Sequence, residues 1–348
     1  MRAHFAIQHL RFTFDGQIGR GANGLAFRLV ERTSSTRSRK LVVKRALPGR
    51  EEDLRNEISY LKKLRGAEHV VALVASRDER APRERDRQRR SLEALAGRRL
   101  GLRNALEGIA GPVAVLEYME HGNIEKIYSR CMQTDTMVPN RVLWALFLCL
   151  IRACIALAYP IGAEENAQTR LETIPTDGTG PSKIEHADLH GENIMIGEVD
   201  GFVEHQIVPP FKFIDFGRTR DVYGTNIPDN VWKISRMMIE MATHSDVRIS
   251  RNITQYNGYE TRATEILPHG NGAKYPNLDP DLCDFLARCL ADKPQDRPDL
   301  QVMLDTAETA VRIKTAAAYP GNPSETDEAI AQFLQTFIYD AEIRYESA

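Results

Sequence analysis

Three polar residues with carboxylate or amide side chains lie beside two short apolar runs in the second half of the chain. The segment 184–196 reads I-E-H-A-D-L-H-G-E-N-I-M-I, and 211–217 reads F-K-F-I-D-F-G. The apolar runs predict short strands, which would bring Asp188, Asn193 and Asp215 together. Such oxygen ligands, completed by phosphate oxygens, suit a nucleotide-bound magnesium ion. Asp and Asn also punctuate ordinary hairpins, so the stretch alone leaves both interpretations open.

Length, charge and cysteine usage limit what kind of protein can carry such a site. A chain of 348 residues, 42% of them hydrophobic, can bury a sizeable core, and its length predicts two lobes or domains. The net charge of −2 argues against general affinity for nucleic acid. The five cysteines form no C-x-x-C pair, which disfavours a disulfide framework or a zinc ribbon. Reduced thiols in an intracellular protein of the cytoplasm or nucleus are the simpler interpretation.

One apolar stretch, residues 142–159, has nearly the length of a membrane span. Its sole charge is Arg152, and an arginine near the centre of a span costs roughly 2.5 to 3.5 kcal/mol. A fully buried helix that starts at Pro139 as a first-turn residue is therefore preferred. No membrane partner is expected.

The N-terminal part alternates in the manner of antiparallel strands, over residues 12–18, 25–31 and 40–45. Between the first two lies G-R-G-A-N-G, with Gly19, Gly21 and Gly24 in a G-x-G-x-x-G turn. Backbone N–H groups without side chains around them can approach a phosphate closely. A plain hairpin turn explains the same glycines. Because the turn joins two strands and opens no helix, it does not match a dinucleotide-binding Rossmann site.

Lys44 lies in the apolar strand L-V-V-K, where a lysine needs a reason to point inward. A solvated strand residue is the simple alternative. A partner is offered by Glu57, in segment 51–64, where apolar residues recur at helical spacing. A helix that carries Glu57 and packs on the sheet would hold Lys44 against phosphate oxygens.

Taken in chain order, these motifs resemble those of the eukaryotic-type protein kinases, with a divergent arrangement similar to protein-kinase-like proteins of filamentous fungi. The resemblance implies an α+β, two-lobed fold: a small antiparallel sheet with one helix, then a larger, mostly helical lobe. Residues 1–118 would form the first lobe, with a solvated charged insertion at 77–109. Residues 119–319 would form the second lobe, and 320–348 a helical extension.

The same resemblance implies roles for individual residues, with ATP and Mg²⁺ as cofactors and a protein substrate. Asp188 would accept the proton of the acceptor hydroxyl, Lys44 fixed by Glu57 would hold the α- and β-phosphates, and His190 would contact the γ-phosphate. Asn193 and Asp215 would hold magnesium. The adenine pocket would comprise Ile18, Ala26, Val42, Leu116 and Met195, with backbone contacts from Glu117 to Met119. His186, Phe216 and Leu61 would stack in the interior, with Leu73 nearby.

Departures from the family pattern leave the acceptor open. Ala187 replaces the usual arginine and His190 the usual lysine, which also resembles the aminoglycoside phosphotransferases. Only 12 residues separate Gly217 from Asn230, without A-P-E. A protein Ser/Thr kinase, a small-molecule kinase and a nucleotide-binding pseudokinase scaffold all remain. Activity is expected without phosphorylation of Thr219, Tyr223 or Thr225.

Three peripheral segments complete the sequence-based predictions. Residues 163–182, rich in Gly, Pro and Thr, are predicted to form a mobile loop. The resemblance implies a buried Arg297, with no evident glutamate partner. At the C-terminus, Ser324 and Asp327 are predicted to start a helix as a capping-box-like pair. Its apolar stripe, from Ile330 to Ala341, predicts packing against the protein body, with a partner-binding helix as the alternative.

Overall fold

The computed structural model describes residues 1–21, 24–79, 102–165, 167–199, 201–224, 227–244, 252–268 and 274–340. The architecture is mixed α+β, as the sequence predicted. A five-stranded antiparallel sheet forms from the N-terminal third, and most of the described α-helices lie in the remainder of the chain.

The main sheet contains strands β1 (Phe12–Arg20), β2 (Gly24–Arg32), β3 (Ser38–Ala46), β4 (Leu73–Glu79) and β5 (Gly111–Glu117). Their spatial order is β1-β2-β3-β5-β4, and all neighbours are antiparallel. The alternation of apolar and polar residues predicted the first three strands to within two residues at each end. Each of these strands places alternate apolar residues against the core, in β1 only Phe12 and Phe14, which is why a period-2 pattern locates them well.

Helix α2 (Glu51–Lys63) follows β3 and packs on the sheet through its apolar stripe. Leu54, Ile58 and Leu61 are buried, as their helical spacing predicted. Acidic residues occupy its first turn and lysines its last, and both sets of charges stabilise the helix by interacting favourably with its dipole. The stripe therefore fixes which side of α2, and hence which polar residues, faces the sheet.

The boundaries predicted for the charged insertion at 77–109 are wrong at both ends. Residues 77–79 continue β4, because they pair with β5. Helix α3 (Leu102–Ala105) contributes Leu102 to a second hydrophobic cluster, which also contains Phe5 of helix α1 (Arg2–Ala6). Apolar residues at the ends of the segment are thus used for packing. The central part, 80–101, lies outside the described residues.

The helical part is built around α5 (Asn140–Ala158), which is buried along nearly its whole length. Pro139 occupies the cap position just before this helix, not its first turn. Helix α5 is long and apolar enough to cross a bilayer, but 94% of its most apolar window is buried inside the protein. A single buried helix of this kind is weak support for a membrane span. The other helices of this part are α4 (Ile124–Thr134), α6 (Ile227–Thr243), α7 (Pro280–Cys289), α8 (Leu300–Ile313) and α9 (Asp327–Leu334).

Three short antiparallel strand pairs lie among the helices of the second part of the described chain. Strand β6 (Ile184–Glu185) pairs with β9 (Arg220–Asp221), and β7 (Ile194–Ile196) pairs with β8 (Phe211–Phe213). The third pair is β10 (Thr254–Tyr256) with β11 (Tyr259–Thr261). The first two pairs fix the polar residues predicted to form a site.

The loop at residues 163–182, which was predicted to be mobile, is hydrogen-bonded to the rest of the protein over its first half. The Arg170 N–H donates to the Gly66 carbonyl at 2.9 Å, and the Ala163 N–H donates to the Arg65 carbonyl at 2.9 Å. Glu172 is buried. Gly, Pro and Thr residues correctly marked the absence of regular structure, but hydrogen bonds to the segment that follows α2 hold this backbone in place.

The C-terminal helix packs back on the protein body. Ile330, Phe333 and Leu334 are buried, and the Glu325 carboxylate accepts from the Asn140 backbone N–H at 2.7 Å. The predicted cap is wrong, because Thr326 caps α9 by accepting from the Ala329 N–H. Residue 341 of the predicted stripe lies outside the described residues.

Arg297 is half-buried and finds its partners in backbone carbonyls. It donates to the Ala291 and Pro228 carbonyls, each at 2.9 Å, and its guanidinium lies 4.7 Å from the centre of the Trp232 ring. Because carbonyl oxygens satisfy the guanidinium, no glutamate partner is needed.

Candidate functional site

Asn193 and Asp215 lie at the same end of the β7/β8 hairpin. Ile194 pairs with Phe213, and beyond this pair the Ile214 N–H donates to the Asn193 carbonyl at 3.0 Å. Asn193 immediately precedes β7, and Asp215 follows β8 by two residues. The sequence therefore located correctly the two strands that hold these residues.

Two residues of this region adopt a left-handed backbone conformation that is uncommon for non-glycine residues. Ala187, just before Asp188, has φ 64°, and Asp215 has φ 61°. Such conformations cost about 1 to 3 kcal/mol each and cluster at functional sites. The surrounding structure fixes these two bends, one directly before Asp188 and the other at Asp215 itself.

The Asn193 amide is oriented by two contacts. Its Nδ2 donates to the Asp188 carbonyl at 2.8 Å and lies 3.0 Å from His190 Nε2. Since an amide nitrogen only donates, the second contact assigns an unprotonated Nε2 to His190. These contacts leave the amide oxygen as the atom that would bind a cation.

Asp188 is one-quarter exposed and faces Arg218. Their closest side-chain atoms, Arg218 Nη1 and Asp188 Oδ1, lie 3.4 Å apart, and Arg218 itself is mostly exposed. A contact at this distance between exposed groups is weak. The carboxylate of Asp188 is thus only weakly held by Arg218 and remains partly exposed.

Lys44 and Glu57 form the predicted ion pair, with Lys44 Nζ 2.7 Å from Glu57 Oε1. The Glu57 side chain is buried, and that of Lys44 is 21% exposed. Burial by itself lowers the pKa of Lys44, but the negative charges of Glu57 and then Asp215 raise it above its ordinary value. Lys44 is therefore held protonated, next to the carboxylate of Asp215.

Asn56, which precedes Glu57 on α2, is a site residue that the sequence did not indicate. Its Nδ2 contacts the backbone carbonyls of Phe216, Gly217 and Thr219, at 3.4, 3.0 and 2.7 Å. Helix α2 thereby holds both Lys44, through Glu57, and the backbone that follows Asp215. A polar residue on a helix gives no signal of partners 160 residues away, so sequence reasoning missed it.

Phe216 is fully buried and lies in the same hydrophobic cluster as Leu61 of α2 and Leu73 of β4. His186, also fully buried, contacts the Phe216 ring. The expected contact between His186 and Phe216 is thus present, and Leu61 and Leu73 share the hydrophobic cluster of Phe216. The core of the main sheet therefore continues to the Asp215 segment.

The glycine-rich turn has one position that demands glycine for packing. A Cβ on Gly24 would lie 2.6 Å from the Arg45 carbonyl oxygen, whereas a Cβ on Gly19 would meet Ala26 at an ordinary 3.7 Å. At Gly21 a Cβ would meet no described atom within 4 Å, and the Gly21 N–H donates to the Gly24 carbonyl at 3.0 Å. Space beside Gly19 and Gly21 remains for a ligand.

The predicted adenine-pocket residues are distributed over the sheet and the β7/β8 hairpin. Ala26 is opposite Lys44 in the β2/β3 pair, and Val42 is opposite Leu116 in the β3/β5 pair. Leu116 and Met119 are buried, Met195 is half-buried, and Ile18 is 45% exposed. The sheet register thus brings Ala26, Val42 and Leu116 into one region beside Lys44. Ile18 lies at a register shift of the β1/β2 pair, next to Gly19, which is opposite Ala26.

Glu117 has a second role that the sequence did not indicate. Its side chain accepts from the Ala72 N–H at 2.7 Å and lies 3.4 Å from Lys212 Nζ, which also contacts Glu68 at 2.8 Å. Burial lowers the pKa of Lys212, but Glu117 and Glu68 raise it above its ordinary value. The Glu117 side chain is therefore used to join β5 to β8.

Neither a comparison with protein-family models nor a search of curated proteins finds a match to this chain. The class that the structure defines is an α+β protein with a five-stranded antiparallel sheet and a polar site at the end of the β7/β8 hairpin. A more specific assignment depends on the chemistry of that site.

Proposed function

We propose that this chain is an ATP- and Mg²⁺-dependent phosphotransferase with a two-lobed, protein-kinase-like fold, and that it acts as a protein Ser/Thr kinase. The observation that carries this proposal is the Lys44–Glu57 ion pair at 2.7 Å beside the charge of Asp215. Lys44 on β3 and Glu57 on α2 are 13 residues apart, whereas Asp215 lies in the second half of the chain. An ordinary hairpin at residues 194–213 would need neither Lys44 nor Glu57.

The residues present fit a magnesium ion. Asp215 offers a carboxylate and Asn193 an amide oxygen, which are hard oxygen donors of the kind that Mg²⁺ prefers together with phosphate oxygens. Burial raises the pKa of Glu57, and the charge of Lys44 opposes that shift. The carboxylate of Asp215 lies outside this pair and favours a cation at its side of the site.

Each residue has a defined task in phosphoryl transfer, which consists mostly of positioning and charge neutralisation. Bound magnesium would neutralise charge on the phosphate oxygens. Lys44, oriented by Glu57, would hold the α- and β-phosphates, and the backbone of the Gly19 to Gly21 turn would cover them. Asp188 would accept the proton of the acceptor hydroxyl, a role that contributes about 10²- to 10⁴-fold.

The segment after Gly217 favours a second candidate, a kinase for a small-molecule hydroxyl. Residues 220–221 return at once to pair with β6, and α6 begins at Ile227. A segment this short offers little surface for docking an extended peptide. Small acceptors would not need that surface.

Phosphate transfer from labelled ATP tests the proposal and separates the two acceptors. The purified chain is incubated with Mg²⁺, ATP labelled at the γ-phosphate and either a protein extract or a small-molecule extract. We expect labelled protein, with serine or threonine as the modified residue. Label in the small molecules alone would favour the second candidate. No ATP consumption in either arm would reject both.

A further inference from the structure

Three buried side chains from distant parts of the chain converge outside the proposed phosphotransfer site. They are His69, in the segment between α2 and β4, Cys149 on α5, and His205, in a short turn between β7 and β8. Their ligand atoms all lie within 4.8 Å of one another. His69 Nε2 is 3.1 Å from His205 Nε2, which is 3.8 Å from Cys149 Sγ.

A buried carboxylate fixes one of these ligands. Glu172 accepts from the His69 backbone N–H through one oxygen, and its other oxygen contacts His69 Nδ1, both at 2.7 Å. The contact with Glu172 fixes the ring so that Nε2 of His69 faces the cluster. Metal-binding histidines usually donate their other ring N–H in this way. The position of Glu172 therefore supports a metal site independently of the convergence of the three side chains.

Two of the three separations between the ligand atoms match a tetrahedral zinc ion, and the third, between His69 and Cys149, is at most 4.8 Å. With Zn–N bonds of about 2.0 to 2.1 Å and Zn–S bonds of about 2.3 Å, ligand atoms on neighbouring corners lie about 3.3 Å (N to N) and about 3.6 Å (N to S) apart. The measured separations of 3.1 and 3.8 Å are close to these values. Imidazole and thiolate are donors that zinc prefers, and they disfavour magnesium or calcium.

Hydrogen bonds alone are the competing explanation for the same contacts. A buried cysteine beside two imidazoles is either a metal ligand or a member of a hydrogen-bonded or ion-paired cluster. The ion pair needs only one of the two facing Nε2 atoms to carry a proton. Metal content separates these two states.

We propose that His69, Cys149 and His205 bind one zinc ion. Three protein ligands leave the fourth tetrahedral position to a water molecule. The ion would join the segment after α2, the central helix α5 and the β7/β8 connection. His69 is also bonded directly to β8, because its carbonyl accepts from the Phe213 N–H at 2.9 Å. The site would therefore stabilise the strand that leads to Asp215.

Metal analysis of the full-length chain tests this inference without any use of ATP. The protein is produced with zinc in the medium, freed of any affinity tag, passed through metal-free buffer and measured by plasma mass spectrometry. We expect about one zinc ion per chain for a site of this donor set. Cys149→Ser and His205→Gln should each reduce the zinc content at least about tenfold after the same treatment. Cys154→Ser, a buried cysteine on the same helix but outside the cluster, should retain it.

Loading the unaltered chain with Co²⁺ keeps the inference testable if the variants do not fold. Removal of zinc by a chelator followed by Co²⁺ should give the near-ultraviolet thiolate-to-cobalt band and the intense visible bands of a tetrahedral site. Absence of stoichiometric metal together with absence of these bands would overturn the site. Stoichiometric copper in place of zinc would overturn the choice of metal, and equal zinc in all variants would overturn the choice of ligands.

Discussion

His186 Nε2 donates a hydrogen bond to the Ile214 carbonyl at 2.9 Å, while its ring lies against Phe216 with the ring centres 4.7 Å apart. One buried imidazole thus holds the residues on both sides of Asp215. Since His186 also precedes Asp188 by two positions, it links the two carboxylates that the proposed chemistry requires. Burial lowers the pKa of His186 to about 4, so the imidazole is neutral at physiological pH.

The lowered pKa of His186 predicts a loss of stability in acid. The unfolded chain takes up a proton on this imidazole below about pH 6.5, whereas the folded protein does so only near pH 4. The contribution of His186 to the free energy of unfolding is therefore complete above pH 6.5. It is lost as the pH falls toward 4, and the total loss is about 3 kcal/mol. Urea unfolding at several pH values should show a smaller loss for His186→Gln, which keeps an N–H donor. If the free energy of unfolding falls equally steeply with decreasing pH in both proteins, the acid loss does not come from His186.

Lys44→Met and Asp215→Asn should each abolish stabilisation by Mg-ATP, because one removes a phosphate contact and the other a metal ligand. In the unaltered protein, ligand at a hundredfold excess over its Kd adds about 2.7 kcal/mol to the free energy of unfolding. Thermal melting with and without Mg-ATP measures this. Lys40→Met is the matched control, since Lys40 lies on the same strand but pairs with Glu120 at the surface. An absent shift in the unaltered protein would exclude nucleotide binding.

Asn56→Ala should loosen the segment after Asp215, because three backbone carbonyls lose one donor group. We expect the free energy of unfolding to fall by about 1 to 3 kcal/mol. The kcat of phosphoryl transfer should fall about ten- to a hundredfold through misplacement of Asp215. Ser59→Ala, at an exposed position of the same helix, is the control and should leave both values unchanged. A variant with normal kcat and reduced stability would limit Asn56 to a structural role.

Activity should not require phosphorylation between Gly217 and Asn230. Tyr223→Phe combined with Thr225→Val should keep the transfer rate within about threefold, since the short segment has little freedom to reorganise on phosphorylation. Thr219 is unsuitable as an acceptor, because it is buried and its hydroxyl donates to the His186 carbonyl at 3.3 Å. Thr225 lies outside the described residues. A hundredfold loss in the folded double variant would show that phosphorylation is required.

Local periodicity predicted the elements of this fold well where a single pattern determines them. Strands β1 to β3, helix α2 and the buried helix α5 all have one continuous apolar face or surface, which is visible in a short window of sequence. The α9 cap was misplaced because Ser, Thr and Asp compete for the same position over four residues, and only the backbone conformation decides between them.

Contacts between distant segments account for what sequence reasoning missed in the site. The Lys44–Glu57 pair was predictable, since a lysine in an apolar strand needs a nearby anion. No local sequence pattern indicates the contacts of Asn56 or the ion pairs of Lys212 with Glu68 and Glu117. These partners are determined by how α2, β5 and β8 pack. The same holds for His69, Cys149 and His205, whose wide separation in the chain matches no metal-binding spacing.

The proposed role of Asp188 is tested most directly by the rate of phosphoryl transfer from ATP in the Asp188→Asn variant. The isosteric amide cannot accept the acceptor proton, so the rate should fall about 10²- to 10⁴-fold, while the stabilisation by Mg-ATP persists. Asp305→Asn, an exposed position on α8, should retain the full rate. An Asp188→Asn variant that transfers phosphate as fast as the unaltered protein would contradict the proposed function.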